Sequence, residues 1–167
     1  MSERLFLQPP EIVEVDGKII FLAGPIQGGP NWQPEAGKLI HGYNPSIVVA
    51  SPRRDYEADG LEFVYERQVD WETHYLRAAG KGGGVVLFWL ANQVQETPGR
   101  AYAQTTRFEL AEWKMMHQHE GAKLVVGIEP GFGNERYIRR RLSQDVPDVP
   151  ILSSLRDACR AAVDLAA

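Results

Sequence analysis

The chain has a single cysteine, Cys159, among 167 residues. No intrachain disulfide can form, and a reducing compartment is the expectation. No apolar run approaches the ~18 residues that a membrane span requires. The N-terminus also lacks a basic region followed by an apolar stretch and a cleavage site. A soluble, cytoplasmic protein with no membrane partner is therefore expected. Positive charge is in short supply too: 18 Lys and Arg stand against 22 Asp and Glu, a formal charge of −4 with pI near 5.6. Nucleic-acid binders usually show a basic surface, so no nucleic-acid partner is expected. The one basic cluster, Arg139-Arg140-Arg141, reads at helical spacing as a solvated face.

Several reaction classes lack their motifs. There is no GxSxG to seat a serine nucleophile. There is no HExxH or paired-cysteine pattern, and His117 and His119 diverge on a helix, so no metal site is expected. Cys159 has no His or Cys near it and falls in the apolar pattern of the last helix, which makes it a core residue. The glycine-rich stretch GPIQGGP carries glycines at 24, 28 and 29. That spacing is neither the GxGxxG dinucleotide fingerprint nor a phosphate loop, since no Gly-Lys-Ser/Thr follows.

What the chain does have is an alternation. Five apolar runs of strand length occupy residues 19–23, 46–51, 85–90, 123–128 and 149–152. They are short, unalternating and bounded by Gly and Pro, which suits strands buried on both faces. Helix-like segments lie between them at 68–79, 106–119, 134–144 and 154–165, with a weaker candidate at 32–41. Strand and helix alternating along the whole chain predict an α/β fold. The expectation is one doubly wound domain over 1–167, a five-stranded parallel sheet with helices on both faces. Residues 1–17, with Pro9-Pro10 and Asp16-Gly17, read as an N-terminal arm with room for a short strand and a turn.

In such sheets ligands bind beyond the carboxyl ends of the strands, where the strand order reverses. That rule directs attention to 24–30, 53–59 and 91–106. GPIQGGP is either a ligand-approaching loop, since glycine lets backbone N–H groups come close, or a tight turn shaped by Pro25 and Pro30. Asp70 is either a first-turn acid favoured by the helix dipole or a carboxylate placed for proton transfer. Asn92 and Gln93 carry amides able to read a heterocyclic base. They open a loop of about 14 residues, long enough to act as a lid. Thr106-Arg107-Phe108-Glu109 has the form of a capping box. Glu109 therefore either folds back onto the helix start or faces the cleft.

FLAGPI after the first long strand, VDWE on the second helix, VVLFWL on the third strand and TTRFELAEW on the next helix resemble the nucleoside 2-deoxyribosyltransferase-like family. The resemblance spans roughly residues 19 to 130. It implies a flavodoxin-like sheet and cleavage of the N-glycosidic bond of deoxynucleosides. By that resemblance Glu109 is the nucleophile that attacks C1′, and Asp70 holds or protonates the base. Phe21, Gly24 and Pro25 of the FLAGP turn would line the pocket, together with Gln27, Trp89 and Asn92. A glycosidic carbon passes through an oxocarbenium-like state that a nearby carboxylate stabilises and then traps. No metal or organic cofactor is implied. The implied partners are a nucleoside or nucleotide and a free base, and the implied assembly is a homo-oligomer. The family's transferases carry a further aspartate in the loop before the glutamate. This chain has none between Leu90 and Glu109, with Asn92 the nearest polar residue. A nucleoside monophosphate N-glycosidase and a non-catalytic nucleotide-binding or sensing module on the same fold are the other readings.

Overall fold

The computed structural model describes residues 5–167. Six strands form one sheet in which every pairing is parallel: β1 (Phe6–Leu7), β2 (Ile19–Ala23), β3 (Val48–Ala50), β4 (Val85–Leu90), β5 (Leu124–Ile128) and β6 (Ile151–Leu152). Five helices connect and follow them: α1 (Gln33–Tyr43), α2 (Tyr65–Lys81), α3 (Gln104–Glu120), α4 (Glu135–Asp145) and α5 (Leu155–Ala166). The strand order is β1-β3-β2-β4-β5-β6.

The expected sheet had five strands, and the sixth comes from the arm. Phe6 and Leu7 pair in parallel with Val49 and Ala50 and extend the sheet at its edge. A two-residue strand carries no periodicity, so pattern alone could not announce it. The rest of the arm is held by α2. The Trp71 indole Nε1–H donates to the Glu11 carbonyl at 3.1 Å. The Tyr75 hydroxyl donates to the Val13 carbonyl and accepts from the Val13 N–H, both at 2.9 Å. The first four residues of the expected arm lie outside the described residues.

The sheet divides the apolar side chains between two cores by strict alternation, because successive strand residues point to opposite faces. Phe21, Val86, Phe88 and Val126 face one side with Trp71, Tyr75, Leu110 and Trp113, which belong to α2 and α3. Ile20, Leu22, Leu87, Trp89 and Val125 face the other, with Ala36 and Ile40 of α1 and Ala158, Cys159 and Ala162 of α5. Both faces are covered, which is why β2, β4 and β5 read as unbroken apolar runs and are buried at every position. Cys159 is fully buried, and burial pushes its thiol up to about 12. It behaves as a small core residue. Among the described residues no helix is long and apolar enough to cross a membrane.

Candidate active site

β2 pairs with β3 on one side and β4 on the other. The chain leaving β2 runs to α1 on one face, and the chain leaving β4 runs to α3 on the other. Their divergence opens a crevice at the carboxyl ends of the strands, the position at which open α/β sheets bind ligands. A cavity of about 480 Å³ lies there, walled by Gly24, Pro25 and Gln27 of the β2–α1 turn and by Arg53 and Tyr56 after β3. Glu72 from α2 and Glu109 from α3, two helices on the same face of the sheet, both line it.

Glu109 is aimed there by the phase of α3. Thr106, Leu110, Trp113 and Lys114 form the buried stripe of that helix. At about 100° per residue, Glu109 borders the stripe while Phe108 points away, and Phe108 is 76% exposed. The capping box at 106–109 does not form. The helix begins two residues earlier, at Gln104, with Ala103 as the capping residue and no side-chain cap bond. Ala103 sits in the left-handed region at φ 58, a conformation that costs an alanine about 1–2 kcal/mol. Neighbouring contacts hold it. Tyr102 donates its hydroxyl to the Ala91 carbonyl at 2.6 Å. Arg107 lies over the Phe132 ring at 4.6 Å and donates to the Gly133 carbonyl at 2.9 Å.

The loop after β4 is fastened to the glycine-rich turn. The N–H groups of Val94 and Gln95 both donate to the Gly28 carbonyl, at 2.9 and 3.2 Å. Gly28 has φ +79, and a Cβ there would lie 2.7 Å from the Gln95 carbonyl oxygen. Glycine is required at this junction by conformation and by space. Gly24 is required by packing, since a Cβ would fall 2.4 Å from the Trp89 carbonyl oxygen and 2.6 Å from the Trp32 ring.

The electrostatics of the cleft centre on its two carboxyl groups. Burial, then the neighbouring Glu72 and Glu112 charges, push Glu109 up to about 8. Glu72 is also raised, by burial, against the opposing effect of its hydrogen bond from Gln68. The Gln68 amide Nε2 donates to Glu72 Oε1 at 2.7 Å and to the Pro52 carbonyl at 2.8 Å. Its Oε1 accepts from the Tyr56 hydroxyl at 2.6 Å. Such a chain fixes the Glu72 carboxyl and leaves one of its oxygens uncommitted within this network. Like charges sharing a desolvated cleft disfavour double ionisation, which favours the protonated form of Glu109.

Four of the eight residues expected at the site line this cavity: Glu109, Gly24, Pro25 and Gln27. The other four do not. Asp70 is solvent-exposed on α2 and lines no part of the cleft. It faces outward because Trp71, Tyr75, Leu76 and Ala79 set the buried face of that helix. Phe21 is core, 6.2 Å from the Trp71 ring. Trp89 packs on the opposite face of the sheet, with Ala158 and Cys159. Asn92 is turned to the neighbouring loop: its backbone N–H donates to Glu129 Oε2 and its side-chain amide to the Pro130 carbonyl. Glu72 is the acid that occupies the cleft from α2, and Gln68 and Tyr56 are its unanticipated partners. Among the described residues no group of three or more His, Cys, Asp or Glu is arranged to hold a metal ion.

Compared with known proteins, the chain matches no family model and shows no significant match to a curated protein.

Proposed function

We propose that the protein cleaves the N-glycosidic bond of a nucleoside or deoxynucleoside, passing the sugar to water or to a second base. The observation that carries this reading is the pair of carboxyl groups, Glu72 and Glu109, lining one partly desolvated cleft at the switch point of the sheet. Glycosidic chemistry needs one carboxylate to meet the developing positive charge at C1′ and one acid to protonate the departing group. A carboxyl raised to about 8 keeps an acid available near pH 7 beside a second carboxyl group.

In the first step an ionised Glu109 oxygen attacks C1′. The C1′–N bond breaks, its electron pair leaves on the base nitrogen, and the Glu72 carboxyl delivers a proton to the base. In the second step water or an acceptor base attacks C1′ and breaks the ester. Its proton goes to Glu72, and Glu109 is regenerated. Gln68, held by Tyr56 and the Pro52 carbonyl, orients Glu72 throughout.

One observation favours an exchange of roles. Gln68 donates to Glu72 and so supports its ionised form, while Glu109 is the more strongly raised of the two. Glu72 would then be the nucleophile and Glu109 the acid. Trapping the glycosyl-enzyme with a slow 2-fluoro-substituted nucleoside and mapping the labelled peptide by mass spectrometry separates the two assignments. Label on Glu109 supports the first assignment and label on Glu72 the second. Saturable nucleoside binding with neither label nor released base overturns the enzymatic reading in favour of a binding module. The loop before α3 offers the sugar hydroxyls no aspartate; Arg100, Gln104 and Thr105 line the cleft there.

A further inference from the structure

A second cavity, of about 740 Å³, lies on the other side of the Ile26-Gln27 turn. It shares Arg53, Arg54 and Tyr56 with the reaction cleft and is bounded on its far side by the start of α1 and the end of β3. Two side chains on its wall are almost completely buried, Gln33 at 1% and Ser51 at 0% exposure. Among the described residues five sealed side-chain polar atoms have no hydrogen-bond partner. Three of the five, Gln33 Nε2, Gln33 Oε1 and Ser51 Oγ, belong to this one cavity. Native folds rarely leave such groups unpaired, and a cluster of them at one cavity marks a place where a partner is expected. The cavity is also of the size that small ligands occupy.

We infer that this cavity is a second ligand site, taking a small planar molecule with a lactam or carboxamide edge. The class follows from the inventory of donors and acceptors. A glutamine amide offers one acceptor and two donors, and serine offers one of each kind. A ligand that presents an N–H beside a C=O satisfies both ends of the Gln33 amide at once. An anion accepts from Nε2 and from the hydroxyl but leaves Oε1 without a donor. It also meets the Asp55 carboxylate on the same wall. Arg54 and Asp59 neutralise each other at 2.8 Å, and the Arg53 guanidinium is turned to the Pro30 carbonyl at 2.6 Å. The Gln33 polar atoms are closed over in this structure. The ligand engages them when the Gln33 side chain moves between staggered rotamers of its sp³ torsions.

This site stands independently of the glycosidic reading, and its test is built to keep the two apart. The full-length protein is labelled with ¹⁵N, and the Gln33 side-chain amide signals are identified by their loss in Gln33→Leu. Uracil and nicotinamide, which carry the required edge, are titrated against wild type and Glu109→Gln. Benzoate and inorganic phosphate serve as controls. The expected result is a saturable shift of the Gln33 signals with uracil and nicotinamide, equal in both proteins and absent with the controls. Binding isotherms for both probes lose that component in Gln33→Leu. Signals that move with no probe, the behaviour of an amide bridged by ordered water alone, overturn the proposal. So does a shift produced by phosphate or benzoate as readily as by uracil. Thermal melting guards against a misfolded variant: replacing an unpaired buried amide by leucine should leave the melting temperature unchanged or raise it. A clear fall means that Gln33 is bonded within the fold and also overturns the site. Loss of base release in Glu109→Gln with these shifts intact would sink neither reading, whereas intact turnover in Glu109→Gln refutes only the glycosidic one.

Discussion

Replacing Glu109 by glutamine should stabilise the protein, and by an amount that grows with pH. The carboxyl is raised from 4.5 to about 8 by burial and by the Glu72 and Glu112 charges. The unfolded chain releases this proton near pH 4.5, while the folded protein keeps it until about 8. Between those values the native state binds more protons, so its stability is full below about pH 4.5 and falls as pH rises toward 8. Integrated to pH 7, the loss is at most about 3 kcal/mol, against under about 1 kcal/mol at pH 5. The cleft is open to water, so about half of that is the working figure. Glutamine copies the neutral carboxyl in shape and never ionises. For a chain of this length each kcal/mol moves the melting temperature by roughly 3 °C. Thermal melts of wild type and Glu109→Gln at pH 5, 6, 7 and 8 should therefore diverge, from about 1 °C at pH 5 to about 4–5 °C at pH 7. A difference that stays constant with pH, or a glutamine variant less stable at pH 7 and above, refutes the assignment of a desolvated, charge-crowded Glu109. The same variant should lose base release by a factor of about a thousand or more if the carboxylate is the nucleophile.

Glu72→Gln removes the nearest like charge that the cleft presents to Glu109, so the apparent Glu109 pKa should fall toward the usual carboxylate range. A ¹³C carboxyl titration checks this, and an unmoved midpoint near 8 excludes the coupling. Asp70→Asn should change stability by less than about 0.5 kcal/mol and leave turnover intact, because Asp70 is exposed and outside the cleft. A large loss of turnover in that variant would return the acid role to Asp70. Gly28→Ala places a Cβ 2.7 Å from the Gln95 carbonyl at φ +79. It should cost about 1–3 kcal/mol in denaturant unfolding and raise KM by loosening the 91–103 loop. Tyr102→Phe deletes the bond to the Ala91 carbonyl and should cost about 1 kcal/mol, read from the unfolding midpoint.

The layered fold was legible in the sequence because its physics is local. Apolar runs of strand length between Gly and Pro, with helical patterns between them, leave few topologies once parallel crossovers are required. The ends of elements were less legible. α2 starts at Tyr65 and α3 at Gln104, each before the expected first residue. Neither helix start carries a side-chain cap bond, so the signals used to place a start were absent. At α3 the capping position is an alanine in the left-handed region, a conformation imposed by the surrounding loop and unmarked by residue type. The sequence of the arm leaves room for a short strand, which β1 fills, but nothing in a two-residue run marks its place in the sheet, beside β3.

That Glu72 and not Asp70 lines the cleft was readable from the helix phase. Trp71, Tyr75, Leu76 and Ala79 centre the buried face of α2. At about 100° per residue, Glu72 falls within that face, between Ala79 and Leu76, and Asp70 nearly opposite to it. An acid at a helix start is attractive for the dipole, but the dipole says nothing about which way the side chain points. The apolar stripe does. The same phase test puts Glu109 beside the stripe of α3 and Phe108 away from it. Applied to the sheet, it also sorts the aromatics. Phe21 faces α2 and Trp89 faces α5, and burial on both sides of the sheet leaves neither free to meet a ligand. Polar reach into the cleft therefore comes from residues that share or border a buried stripe, or that follow a strand end. Gln68, one helical turn before Glu72, meets the first condition, and Tyr56, in the segment after β3, meets the second.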